Sequence, residues 1–121
     1  MGDAKKAIEF YEQALIIDRE IGDRRGEGAD LGNLGLAYAA LGDAKKAIEF
    51  YEQHLTITRE IGDRRGEAFG SWNLGLEYEK AGDVEKAIAA MQICVQYEKD
   101  IGHPDAENDA KKIQELRDRL K

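Results

Sequence analysis

Between Ala44 and Ile61 the apolar positions fall at Ala44, Ala47, Ile48, Tyr51, Leu55 and Ile61, with lysine and glutamate between them. Such spacing gathers the apolar side chains on one face of a helix and fits no strand, in which they would alternate. The run stops at Gly62-Asp63, and the same pair stands at Gly2-Asp3, Gly22-Asp23, Gly42-Asp43 and Gly82-Asp83, with Gly102-His103-Pro104 in the next slot. Glycine just past a helix takes the left-handed conformation that closes the last turn. The aspartate after it caps the next helix, its carboxylate accepting from unpaired amides. Pro104 suits the first turn of a final helix, where its missing N–H costs nothing. This punctuation predicts six helices, at about 3–21, 24–41, 43–61, 64–81, 83–101 and 104–120, joined by corners so short that neighbours must pack antiparallel.

Residues 2–41 and 42–81 match at 28 of 40 positions. The third period keeps Gly82, Asp83, Lys86, Ala87, Ile88, Ile101 and Gly102 and then drifts. A hairpin written repeatedly marks a solenoid, in which each unit buries its face only against its neighbours. The expected division of this single all-α domain is a leading half-repeat at 2–22, full hairpins at 23–61 and 62–101, and a capping helix at 102–121. That last helix carries Ala106, Ala110, Ile113, Leu116 and Leu120 on one side and charges elsewhere.

Composition narrows the chemistry. The 121 residues are 36% charged, with a formal net charge of −7, which argues against a nucleic-acid partner and mildly favours a basic ligand. Cys94 is the only cysteine, so neither an internal disulfide nor a two-cysteine metal site can form. No apolar run is long enough to span a bilayer and no secretory signal opens the chain, so no membrane partner and a cytoplasmic location are expected. His54 and His103 stand nearly fifty residues apart, with no cysteine or acid at a ligand or triad spacing. The stretch from Gly62 to Gly70 lacks the Gly-Lys-Ser/Thr of a phosphate loop. These features predict no enzyme, no cofactor and no metal, and Cys94 reads as a buried small hydrophobe.

The chain resembles the tetratricopeptide-repeat family on Leu34, Gly35, Tyr38, Ala47 and Tyr51, and again on Leu74, Gly75, Tyr78, Ala87 and Met91. Its first helix supplies the later part of the pattern through Ala7, Tyr11 and Ala14. The 40-residue period, with Ile-Gly-Asp-Arg-Arg-Gly-Glu before the next helix, is similar to the longer repeats of LGN-type spindle-orientation adaptors. Three departures stand out. The proline that usually ends each unit is absent, Leu31 and Ser71 occupy the family's tryptophan slot, and His54 and Cys94 replace the small residue seen at Ala14. Looser packing is expected around those two.

The resemblance implies a right-handed α-solenoid whose first helix in each hairpin lines a concave groove for an extended peptide. On that basis Asn33 and Asn73 are candidate clamps for a peptide backbone, since a primary amide both donates and accepts. The alternative is that each asparagine caps or bridges helices. The groove side of the second helix carries Ala29, Gly32, Leu36, Ala39 and Ala40, and that of the fourth Phe69, Trp72, Leu76, Glu79 and Lys80. The two hairpins differ most there, at 28–32 against 68–72 and 37–41 against 77–81. A varied surface on a repeated scaffold suits binding, although unequal neighbours would also demand it. Phe69 and Trp72 share a face and either offer an aromatic hot spot or lie under the last helix. Family grooves that grip acidic ligands use arginines where Ala29 and Phe69 stand, which argues against an acidic ligand. The paired arginines at Arg24, Arg25, Arg64 and Arg65 read as solvated or bridging to acids.

The first helix has no preceding partner. With Ile8, Tyr11 and Leu15 bare on one flank, roughly 300–400 Å² of apolar surface would face water, more than a monomer normally leaves. The leading expectation is therefore a non-enzymatic adaptor that binds a protein or peptide segment. The alternative is a repeat fragment, natural or engineered, that forms a homodimer through the first helix.

Overall fold

The computed structural model describes residues 3–121; Gly2 of the first Gly-Asp pair lies outside them. Six helices follow in order: α1 Asp3–Ile21, α2 Arg24–Ala40, α3 Ala44–Glu60, α4 Arg64–Lys80, α5 Val84–Ile101 and α6 Ala106–Arg119. Among the described residues there is no strand. The corners form as the Gly-Asp pairs require. Gly42 sits at φ 80°, its N–H donates to Ala39 O at 3.0 Å, and the Asp43 N–H reaches back to Tyr38 O at 3.0 Å. Asp43 then starts α3 by accepting from the Lys46 N–H at 3.1 Å. Asp23, Asp63 and Asp83 cap α2, α4 and α5 in the same way.

The last corner departs from the expected one. Pro104 lies in a turn before α6, and the helix starts at Ala106 with no side-chain cap from Asp105. His103 stands where the other corners carry aspartate and offers no carboxylate to the first turn of α6. Its Nδ1 instead accepts from the Asp105 N–H at 3.1 Å.

Among the described residues each helix backbone packs closest on its neighbours in the chain, α2 also comes near α4, and α6 reaches α4 through side chains. α3 and α5 do not approach each other in that way, so the stack bends with α2 and α4 on its inner side. Small residues make the hairpins close. A Cβ added at Gly35 would stand 2.6 Å from Tyr51 Cε1, and one at Gly75 would stand 2.6 Å from Met91 Cγ and 3.0 Å from Ala87 O. Tyr51 and Met91 fill these approaches and are almost fully buried. The apolar interior runs as three clusters along the stack, at α1–α2–α3, α3–α4–α5 and α4–α5–α6.

Ile8 and Leu15 belong to the first cluster and are buried against α2, with Tyr11 packed half-buried beside them. This corrects the expectation that these residues form a bare flank. The apolar residues exposed on α1 are Phe10 (66%), Ile16 (58%), Ile17 (55%) and Ile21 (69%). Helix α1 has two apolar faces, and among the described residues only the one bearing Ile8 and Leu15 is covered.

Candidate functional site

The inner surface holds a cavity of about 240 Å³ between α2 and α4 with α3 as its floor. Gly28, Gly32 and Asn33 come from α2, His54 and Thr58 from α3, and Phe69 from α4. The floor is built around His54, which is buried. Its Nδ1 lies 2.8 Å from Gly28 O and its Nε2 3.1 Å from Gly66 O, so the ring sits between α2 and α4, and its one N–H in the neutral form donates to one of the two carbonyls. Gly32 and Gly70 make room for it: a Cβ at Gly32 would fall 2.9 Å from Nδ1, and one at Gly70 would collide with the ring outright. Phe69 stands edge-on to the imidazole, with centroids 6.1 Å apart, and remains 44% exposed. Arg25 at the rim reaches Asp63 at 3.8 Å. The expected looseness at His54 is thus wrong, because the neighbouring glycines are matched to its bulk.

A second hollow of about 300 Å³ lies between α1 and α2, lined by Tyr11, Asn33 and Leu36 among others. Asn33 therefore stands on the ridge between the two hollows. Leu36 is 40% exposed beside it.

The remaining groove candidates separate from this patch. Trp72 and Leu76 pack against the cluster formed by Met91, Val95, Ile113 and Leu116, so the last helix covers them in part. Glu79 accepts from Lys112 Nζ at 3.0 Å and from Arg119 at 3.1 Å, which makes it an anchor for α6. Lys80 pairs with the buried Glu77 at 3.0 Å. Asn73 turns its amide back to Phe69 O at 2.9 Å, a bond within its own helix. Asn33 thus shares one hollow with Phe69 and the other with Leu36, Asn73 is engaged by Phe69 O, and Trp72, Leu76 and Glu79 lie on the side facing α6. Sequence reasoning missed His54 and Thr58 as the floor. The signal available was the change from Ala14 to His54 to Cys94 at one place in an otherwise repeated helix.

The arginines at the helix starts bridge to acids. Arg24 binds Glu27 at 2.8 Å and also Glu60, and Arg64 binds Asp100 at 2.8 Å, the second and third of these repeating one link across successive hairpins. Burial raises the Glu27 pKa, but hydrogen bonds from Arg19 and Arg24 outweigh it and the net shift is downward.

Two clusters of titrating groups lie away from the inner surface. On α1 and α2, burial first and the neighbouring Asp18 second push Asp30 up to about 7, and Asp30 Oδ2 is buried without a hydrogen-bond partner. On α5 and α6, Cys94, Glu98 and Asp109 bring one ligand-type atom each within 4.8 Å of one another. The sequence spacing, read outward from His54 and His103, did not include this grouping. Cys94 and Glu98 are one turn apart on α5, and the antiparallel return of the chain delivers Asp109. Burial, then Glu98, raises the Cys94 thiol to about 12.

Among the described residues no helix is long and apolar enough to cross a membrane. A comparison with curated proteins finds no match. The sequence profile of the tetratricopeptide repeat matches residues 1–60 and 31–96, overlapping spans that take in α1 to most of α5. With that match on a stack of antiparallel helical hairpins whose Leu-Gly and small-residue positions make the close approaches, the chain belongs to the tetratricopeptide-repeat family.

Proposed function

We propose that this protein is a non-enzymatic adaptor that binds an extended peptide segment along the inner surface of α2 and α4. Tetratricopeptide repeats generally mediate protein–protein interaction, and the observation carrying the finer reading is Asn33 standing between two adjoining hollows, one of about 240 Å³ that Phe69 also lines and one of about 300 Å³ that Leu36 also lines. Phe69 and Leu36 would grip apolar side chains, and the Asn33 amide would bond the peptide backbone on both its donor and acceptor sides. The net charge of −7 favours a ligand with basic residues beside its apolar anchor. Asn73 is a weaker contributor, since its amide must leave Phe69 O to reach a ligand. The test is selection from a peptide library followed by calorimetry. F69A and N33A are each expected to weaken the selected peptide by about tenfold, the scale of a lost hot spot or charge-free hydrogen-bond pair. Equal affinity in both variants rejects the site.

A second reading, a homotypic contact through α1, is favoured by one internal comparison. Phe10, Ile17 and Ile21 are exposed, whereas the repeat-equivalent Phe50, Ile57 and Ile61 of α3 pack into the cluster with α2. Ala14 completes the stripe on α1, so bulky and small residues alternate and two copies of the helix can interleave. Ile8, Tyr11 and Leu15 support that face from behind and do not form it. Light scattering decides: a concentration-dependent dimer lost in the F10K/I17K variant is expected, and a monomer at every concentration excludes it.

A further inference from the structure

The junction of α5 and α6 gathers side chains that neither reading uses. Cys94 Sγ, one Glu98 carboxylate oxygen and one Asp109 carboxylate oxygen lie within 4.8 Å of one another. Cys94 is buried, Glu98 is only 8% exposed, and Asp109 is half-buried. Glu98 Oε1 is sealed from water without a hydrogen-bond partner, while Oε2 stands 3.6 Å from His103 Nδ1. A buried carboxylate oxygen with no donor is costly, and a second carboxylate alongside adds repulsion. One proton relieves the two acids: burial and then Asp109 raise the Glu98 pKa. A proton leaves the thiol unused. A divalent ion engages all three groups at once.

We propose that Cys94, Glu98 and Asp109 form a binding site for a thiophilic divalent cation of the zinc class. One sulfur and two oxygens suit zinc, whereas magnesium and calcium call for oxygen alone. Three protein ligands leave a fourth position for water. On binding, the Cys94 S–H proton passes to solvent as the metal–sulfur bond forms, and the two carboxylates supply the metal–oxygen bonds. Two ligands ride on α5 and one on α6, so occupancy fastens the last helix to the stack.

The opposite junction provides a control within the same chain. There Asp18 and Asp30 form a comparable acid pair, again with an unpartnered buried oxygen on Asp30, but Ala14 stands in the place of Cys94. That pair has no soft ligand and is served by a proton.

The experiment is titration of the chelator-stripped full chain with Co²⁺, followed by Zn²⁺. The site gives a near-ultraviolet thiolate-to-cobalt absorption that Zn²⁺ bleaches, with one ion taken up per chain. C94S removes the band. D109N, at a half-exposed position that leaves the core intact, weakens Co²⁺ by about tenfold or more, and D18N leaves the affinity as it was. No band in the unaltered chain overturns the proposal, as does a D109N affinity equal to that of the unaltered chain or a loss in D18N as large as in D109N.

Discussion

At Ser71 the fold buries a hydroxyl that has nothing to bond: the residue is fully inaccessible and its Oγ has no partner. Beside it, on the outer side between α3 and α5, lies a hollow of about 230 Å³ lined by Leu55, Leu74 and Ile93. Leu31 fills the equivalent place in the first hairpin and is buried. Replacing the hydroxyl by an apolar side chain removes an unmet polar group and fills space, so Ser71→Leu is expected to raise stability by about 1–2 kcal/mol. Chemical denaturation would show it as a higher midpoint at unchanged slope; a lower midpoint would mean the hollow cannot take the side chain. His54 makes the converse point. Its bulk is accommodated by Gly32 and Gly70, and where Cys94 takes its place, Trp72 stands in that of Gly32. The contrast between 28–32 and 68–72, legible in the sequence as a varied surface, is in part a matching of volumes inside the stack. A single sequence shows that two positions changed; it does not show that they touch.

Helix α6 is the element whose role the sequence conveyed least. Its apolar side was legible, but whether it lay over Trp72 depended on the angle of the last corner, which His103, Pro104 and Asp105 set differently from the other corners. In the structure α6 is held by Ile113 and Leu116 against Trp72 and Leu76, and by Lys112 and Arg119 on Glu79. These ion pairs are partly solvated, so Glu79→Ala is expected to cost about 1 kcal/mol or less. The loss should fall on α6 alone: amide exchange there quickens while α2 and α3 keep their protection. A uniform change along the chain would contradict this. If the same variant lost peptide affinity without quickened exchange in α6, Glu79 would return to the list of groove residues.

For the molecule as a whole, the helix order and the first four corners were legible because Gly and Asp recur there every twenty residues and each has one structural use. Carboxyl pairing was not legible, since Asp18 and Asp30 meet only after α1 and α2 fold together. That pairing governs the response to pH. Asp30 is raised from 3.8 to about 7 in the folded chain, so between about pH 4 and pH 7 the folded state binds the extra proton and its stabilising effect fades as pH rises through that window. Glu98, also raised, adds a loss of the same sign. The melting temperature should therefore fall from mildly acidic to neutral pH. Asp30→Asn keeps a donor facing Asp18 and is expected to flatten that slope and raise the melting temperature at pH 8. A slope unchanged in this variant would place the titration elsewhere.

Among the described residues the helix backbones stack in chain order, with α2 also near α4 and α6 tied to α4 by side chains, and the sole tryptophan, Trp72, packs on the cluster that α6 completes. Fluorescence therefore watches one end of the protein, while far-ultraviolet ellipticity averages over six helices. In such an array the ends can come apart before the middle. The two signals should part company during denaturation, with the emission shift leading the loss of ellipticity, and a single free energy of unfolding taken from either one would misstate the protein.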